Sequence, residues 1–408
     1  MFFPFLKGMC DVTIAAVVLL VHALKKGIFV MFNNTFDQLV VFGSACTDIV
    51  RTNTMRLPEG QLLEWWKQIS GDAARLYEKN YVAFSALNQL LVYWRESCHE
   101  TAEVAGGSGL RVAVGAASAL RSHHNPLPVV FYGLVGDDDA AKIIRAKMAE
   151  FSVTDHAETT RLISTARSLV VNVAEGFEKR TITFVYQGAN EMLETIQLAK
   201  HQTITAKTLF YVNTSQPAAT IVRAIEIAKA KGAFVVLGCS KPEKLAPYMA
   251  DLLPKVDGLI MNSDELTRLA NIMNIPMDDW RHATAQLART QGQRFVIVTH
   301  GKFGLSAHDP HNTHNPYHAE PAMTVPHVVS SIGAGDRAAG EFLAALAEGK
   351  DFVAALRAMV RGGAKQCLLH GELAPLPRDE DVWGSGQDTP PMAGGQGSAW
   401  HRPVRTLS

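Results

Sequence analysis

No two of the five cysteines in this 408-residue chain are spaced C-x-x-C. Cys10, Cys46, Cys98, Cys239 and Cys367 are an odd number and lie far apart. This argues against a disulfide framework and a structural zinc site, and for a reducing compartment such as the cytoplasm. Net charge is lacking too. The 39 Lys and Arg cancel the 39 Asp and Glu, so no global field draws the chain to nucleic acid or to an anionic membrane. A small molecule becomes the default partner. There is no internal repeat of solenoid period.

A long apolar run is also missing. Val12 to Leu24 is almost wholly apolar, but it falls short of the ~20 residues that span a bilayer, and no A-x-A cleavage site follows it. Lys7 before it and Lys25-Lys26 after it leave a signal or anchor segment as one reading of residues 1–35, with membrane contact only in that case. A start placed too early is the other reading, and the favoured one, because Met31 opens a segment that leads directly into the first strand.

What is present is a composition that is 47% hydrophobic, enough to bury a large core in one α/β domain or in several smaller ones. The expected organisation is an N-terminal extension over 1–35, one domain over 36–383, and a tail over 384–408. That tail is rich in Gly, Pro, Ser and Gln, and is expected to be disordered because it cannot offset its ordering entropy by burial. Neither monomer nor dimer is favoured.

Gln38 to Phe42 reads as a strand running into a small-residue turn that carries Asp48. Residues 60–100 have helical spacing of Leu, Trp, Tyr and Phe, with Trp65 and Trp66 as packing residues. Gly106-Gly107-Ser108-Gly109 breaks that pattern before a small-residue helix through Val112 to Ala117. A strand over Val129 to Leu134 ends at Asp137-Asp138-Asp139, which reads as a turn and helix N-terminus rather than a metal box. Residues 168–187 read as a hairpin around Glu175 to Glu178. Strand and helix then alternate: 208–212, 217–231, 233–237, 258–261, 265–275 and 295–299. Such spacing implies a parallel sheet covered on both faces, with ligands at the carboxyl ends of its strands. His308, His311, His314 and His318 read as part of a polar loop between two strands, since Pro310 and Pro316 preclude a helix presenting all four.

The sharpest local signal is Gly333-Ala334-Gly335-Asp336 before the helical run Arg337 to Glu348. Small residues there let backbone amides converge at a helix N-terminus, a place for a phosphate. Asp336 in the same turn either caps the helix or accepts a proton from an attacking hydroxyl. These four residues alone leave the capping reading ahead.

The balance changes because Gly333-Ala334-Gly335-Asp336 resembles the carboxy-terminal signature of the ribokinase-like (PfkB) family. Gly106-Gly107 is similar to that family's amino-terminal double glycine, Asn262-Ser263-Asp264-Glu265 to its N-x-x-E element, and Val298-Thr299-His300-Gly301, with Gly304 beyond, to its nucleotide segment. The resemblance covers roughly residues 36–380 in one order. It implies a three-layer α/β sandwich with a mostly parallel central sheet and a small β lid. It also implies a kinase that uses ATP and Mg2+. By that match Asp336 is the base and Gly333, Ala334 and Gly335 form the anion hole. Asp48, Gly106, Gly107, Ser108 and position 111 hold the acceptor. Asn262, Glu265, Thr299 and Gly301 serve the nucleotide, the first two holding magnesium through water. Within the family, Ala105 to Ser108, Phe131 to Asp137, and Lys179-Arg180-Thr181 with Gly188-Ala189-Asn190 resemble the adenosine kinase subgroup, which makes Arg180 the residue that stabilises phosphoryl charge. An exposed hairpin arginine is its equal alternative.

Three departures stand out. Ser330-Ser331 replace the usual Asp-Thr, which puts a monovalent-cation site in doubt. Arg337-Ala338 replace a small residue and phenylalanine beside the nucleotide, and Arg111 replaces the acceptor-binding asparagine. Three functions follow as expectations: a nucleoside kinase acting on adenosine, a sugar or sugar-phosphate kinase, or a catalytically weakened nucleotide-binding protein.

Overall fold

The computed structural model describes residues 36–383 except 52–54, 58–78, 98–100, 176–177, 196–197, 199–203, 278 and 372. The expectations for residues 1–35, for Trp65 and Trp66, and for the 384–408 tail lie outside the described residues.

A nine-stranded sheet organises the molecule. From one edge its strands are Tyr317–Glu320, Leu305–His308, Phe295–Thr299, Gly258–Asn262, Phe234–Gly238, Thr208–Asn213, Gln38–Phe42, Val129–Tyr132 and Thr154–Asp155. All neighbours pair in parallel except at the first edge, where Leu305–His308 is antiparallel to both of its partners. Side chains alternate across a strand, so each central strand feeds two cores. Leu39 and Val41 face a layer with the Ser108–Ser122, Asp139–Glu150, Ala334–Ala347 and Phe352–Gln366 helices, whereas Val40 and Phe42 face a layer with the Ala218–Ala230, Ser263–Ile272 and Trp280–Gln291 helices. This is the expected three-layer α/β sandwich.

The first layer packs closely. A Cβ on Gly340 would lie 2.7 Å from the Val112 carbonyl oxygen, so the Ser108 and Ala334 helices approach to backbone contact.

A second, six-stranded sheet forms the lid. Its path is Lys79–Tyr81, Glu178–Tyr186, Ala166–Glu175, Cys46–Arg51 and Thr101–Gly106, with Met55–Leu57 beside Ala166–Glu175. The hairpin expectation holds, with register Asp48↔Ser168 and Val173↔Arg180. Two expectations need correction. Among the described residues of 60–100, Lys79–Tyr81 is a strand that extends the lid edge by pairing with Thr183–Val185, and a helix runs from Phe84 to Ser97. The strand at Val129 stops at Tyr132. A Cβ on Gly133 would fall 2.6 Å from the Phe131 ring, and Leu134–Gly136 turns away to pair with Glu158–Thr160.

Asp138 caps its helix as expected, accepting from Ala141 N at 3.0 Å, and also binds Thr165 N and Oγ1. Burial alone would raise its pKa, but these hydrogen bonds hold it below the ordinary carboxylate value. His308 and His318 stand in strands rather than in the loop between them. His308 is buried against the Tyr317 ring, 4.7 Å between centroids, because the antiparallel edge turns it inward.

Candidate active site

The parallel strands end at one edge, and two cavities lie there. One, of about 180 Å3, is lined by Asp48, Gly107, Ser108, Arg111, Gly333 and Asp336, together with lid residues such as Ser168 and Thr183. The other, of about 190 Å3, is lined by Asn262, Glu265, Thr299, Gly335 and Asp336, with Asn213 and Ser240. Ser108, Gly333 and Asp336 line both.

Asp336 lies in the first turn of the Ala334–Ala347 helix, half-buried. Gly333 precedes that helix with φ 73°, a left-handed conformation that glycine adopts without strain. The amide of Ala334 turns back to the Ser331 carbonyl at 3.2 Å, so Ala334 itself lines neither cavity. The later amides of the first turn are those that helix geometry leaves without intrahelical partners. A Cβ on Gly335 would meet nothing within 4 Å, so its surface is open.

In the first cavity, Asp48 and Arg111 are both buried. Arg111 Nη2 donates to Asp48 Oδ2 at 2.5 Å, and Nη1 donates to the Gly371 carbonyl at 2.5 Å. Asp48 Oδ1 accepts from Ser168 Oγ and, at 3.3 Å, from Cys46 Sγ. Burial would lower the Arg111 pKa, but Asp48, with a smaller contribution from Asp336, holds it above the ordinary value, so the guanidinium stays charged.

Gly106 is explained by its neighbour. A Cβ there would lie 1.9 Å from Asp48 Oδ2, so the carboxylate needs a glycine beside it. Gly107 has φ 94°, and a Cβ would meet Ser44 O and Cys46 N within 2.9 Å. Asn190 grips the Ala45 backbone, donating to its oxygen at 3.0 Å and accepting from its nitrogen at 3.3 Å, which ties the end of the lid hairpin to the turn after the first strand.

In the second cavity, Asn262 and Glu265 make a reciprocal capping box. Glu265 N donates to Asn262 Oδ1 at 2.9 Å, and Asn262 N donates to Glu265 Oε2 at 2.8 Å. Burial nonetheless pushes the Glu265 carboxyl up to about 7, with Asp336 adding to the shift. Gly301 stands exposed beyond Thr299 and lines neither cavity.

Arg180 is placed by its backbone alone, opposite Val173; its side chain lies outside the described residues. Arg337 is a correction. It does not wall the nucleotide side but is buried between the Ser108 and Ala334 helices, with Nη2 3.0 Å from Ser118 Oγ. Sequence reasoning missed Asn213, Ser215 and Ser240. A signal existed, since Asn213 directly follows a predicted strand as Asn262 does, and both end the observed strands. His300, part of the expected nucleotide segment, lines neither cavity and has its two ring nitrogens each 2.7 Å from a hydroxyl, of Ser263 and Ser306.

Residues 86–379 match the family model described as pfkB family carbohydrate kinase, so the match takes in the Ser108 helix, Asn262, Glu265 and Asp336. The chain belongs to the PfkB family of carbohydrate kinases. This PfkB kinase is 27% identical over 315 residues to an adenosine kinase of Schizophyllum commune, covering 71% of this chain and 85% of that protein. It is 29% identical over 297 residues to a ribokinase of Staphylococcus aureus strain COL, covering 70% and 90%. A solved structure of Arabidopsis thaliana ribokinase complexed with ribose and ATP superposes with a TM-score of 0.61 at 20% identity, over 83% of this chain and 95% of that one. The PfkB kinase is therefore a phosphotransferase acting on a hydroxyl group, of the nucleoside or sugar kinase kind.

Proposed function

We propose that this PfkB kinase transfers the γ-phosphoryl group of ATP to a hydroxymethyl group of a sugar-sized acceptor, with Asp336 as the base. The observation that carries the reading is that Asp336 lines both cavities, so one carboxylate stands where the two meet. Acceptor would occupy the cavity with Asp48 and Arg111, and ATP the cavity with Thr299, Asn262 and Glu265. Asp336 takes the hydroxyl proton as the oxygen attacks the γ-phosphorus in line. Amides of the Gly333 to Gly335 turn other than that of Ala334 serve the charge spread over the phosphoryl oxygens, and the family resemblance gives Arg180 of the lid hairpin the same task. Closure of the lid keeps water from competing.

Asn262 and Glu265 fit a hydrated magnesium ion. Both line the nucleotide cavity and carry side-chain oxygen, and magnesium keeps several of its waters when bound. The ion, when bound, would neutralise phosphate charge.

The size and lining of the first cavity favour a sugar over a nucleoside. It holds about 180 Å3, below the roughly 300 Å3 where drug-sized pockets begin. Among the described residues that line it none is aromatic, so none of these offers a ring to stack on a base. Arg111 stands within the cavity and occupies Asp48. The second reading, adenosine as acceptor, rests on the resemblance of Ala105 to Ser108, Phe131 to Asp137 and Lys179 to Thr181 to the adenosine kinase subgroup and on the Schizophyllum commune relative. ATP consumption measured with ribose, fructose 6-phosphate and adenosine separates the two. Turnover with a sugar and not with adenosine is expected. Turnover with adenosine alone would replace the first reading by the second. Silence with every acceptor despite ATP binding would mark a weakened, nucleotide-binding member of the family.

A further inference from the structure

A third cavity, of about 760 Å3, shares no residue with the two at the strand ends. Its walls are the carboxy-terminal half of the Ser108–Ser122 helix, the Ala334–Ala347 and Phe352–Gln366 helices and residues 375–379. Seven lysines and arginines line it against two carboxylates, Glu341 and Asp379. Near the rim Arg361 pairs with Asp379 at 3.3 Å, an exposed contact of the kind worth little, and Arg357, itself exposed, pairs with the buried Glu320 at 3.4 Å.

At the wall is Arg337, 2% exposed. Its Nε donates to Glu341 Oε1 at 3.3 Å and its Nη2 to Ser118 Oγ at 3.0 Å, but Nη1 has no hydrogen-bond partner, and neither has Nε of Arg361. Burial raises the Glu341 carboxyl's pKa and lowers that of Arg337, each against the attraction of the other. The fold also makes room for this pair. A Cβ on Gly115 would lie 3.2 Å from Arg337 Cδ, and one on Gly362 would lie 2.2 Å from Glu341 Cγ. Glycine inside a helix costs about 1 kcal/mol relative to alanine, yet both positions are helical.

A buried guanidinium with an unmet donor, in a roomy and predominantly cationic cavity, lacks one component. We infer that this cavity binds a phosphoryl oxyanion, held by Arg337 and Arg361 with Arg357 at the rim. Guanidinium forks match phosphate oxygens in pairs, whereas Arg357 and Arg361 each meet a carboxylate through a single contact, at 3.4 and 3.3 Å. The same chemistry is offered by free phosphate and by the phosphate ester of a small metabolite, and the volume admits either.

The test is calorimetric titration of the full chain with inorganic phosphate and, separately, with fructose 1,6-bisphosphate. Saturable binding is expected. Arg361→Ala and Arg357→Ala should each weaken it by about tenfold, the loss of one charge-assisted hydrogen bond, with the KM for ATP unchanged. Arg337→Ala leaves Glu341 buried without a partner and can fail to fold, so the Arg361 and Arg357 variants carry the test. Tighter binding of the bisphosphate identifies a metabolite ester; equal binding identifies free phosphate. Absence of saturation with both probes overturns the assignment. So does binding that both variants leave unchanged, which would place the anion in the catalytic cleft.

Discussion

Arg111 Nη2 lies 2.5 Å from Asp48 Oδ2, although the two residues are 63 positions apart and stand on different elements, a helix of the main layer and a strand of the lid sheet. Both are buried. The pair thus pins the lid to the body at the place where an acceptor would sit.

Breaking it from one side is expected to be costly. Arg111→Ala or Asp48→Ala should each lower stability by roughly 3–5 kcal/mol, because a buried charge is left unpaired. The double variant Asp48→Ala with Arg111→Ala should lose less than the sum. Urea unfolding of the four proteins checks this, and additive losses would mean that the two side chains do not interact.

Asp336→Asn should lower turnover by about 10²-fold or more, as removal of a general base does. The KM or Kd for ATP should stay near that of the parent protein. A variant with near-normal turnover would remove Asp336 from the base role.

Two glycines of one turn should separate folding from function. Gly335→Ala meets open space, and its unfolding midpoint should stay within a few degrees of the parent's, while the added methyl group lowers turnover. Gly333→Ala combines φ 73° with a Cβ only 2.5 Å from Arg111 Nη1, and strain of this kind costs about 1–3 kcal/mol. Thermal melts with activity measured on the same samples decide it. Full activity in Gly335→Ala would argue that nothing negatively charged docks at this turn.

Gly106→Ala should disable the acceptor side while sparing the nucleotide side, because the new Cβ would occupy the position of Asp48 Oδ2. A steep rise in acceptor KM with an unchanged KM for ATP is the expected split.

Acid should destabilise the fold through His308. Burial pushes its pKa from 6.5 down to about 4, with Arg289 and His318 contributing. A depressed folded-state pKa means that the unfolded chain takes up the proton first, so this contribution to stability is complete above pH 6.5 and is lost as pH falls toward 4. By pH 5 the loss is about 2 kcal/mol at most. His308→Phe, which keeps a ring against Tyr317, should flatten that decline in urea unfolding at pH 7 and pH 5; an unaltered decline would place its origin elsewhere.

The alternation of strands and helices from Thr208 to Thr299, the lid hairpin, the Asp138 cap and the turn that carries Asp336 were all legible from residue order, because each depends on neighbours within a few positions. Local periodicity, capping chemistry and small residues at a helix start are properties that a chain carries with it before it folds.

Tertiary structure decided what faces what. Successive helix residues point about 100° apart, so Asp336 lines the cleft while Arg337, one position later, is buried toward Ser118 and Glu341. That Arg111 meets Asp48, and that Gly106 leaves space for the same carboxylate, depends on how the lid sheet closes on the Ser108 helix, a contact between elements that no local pattern encodes.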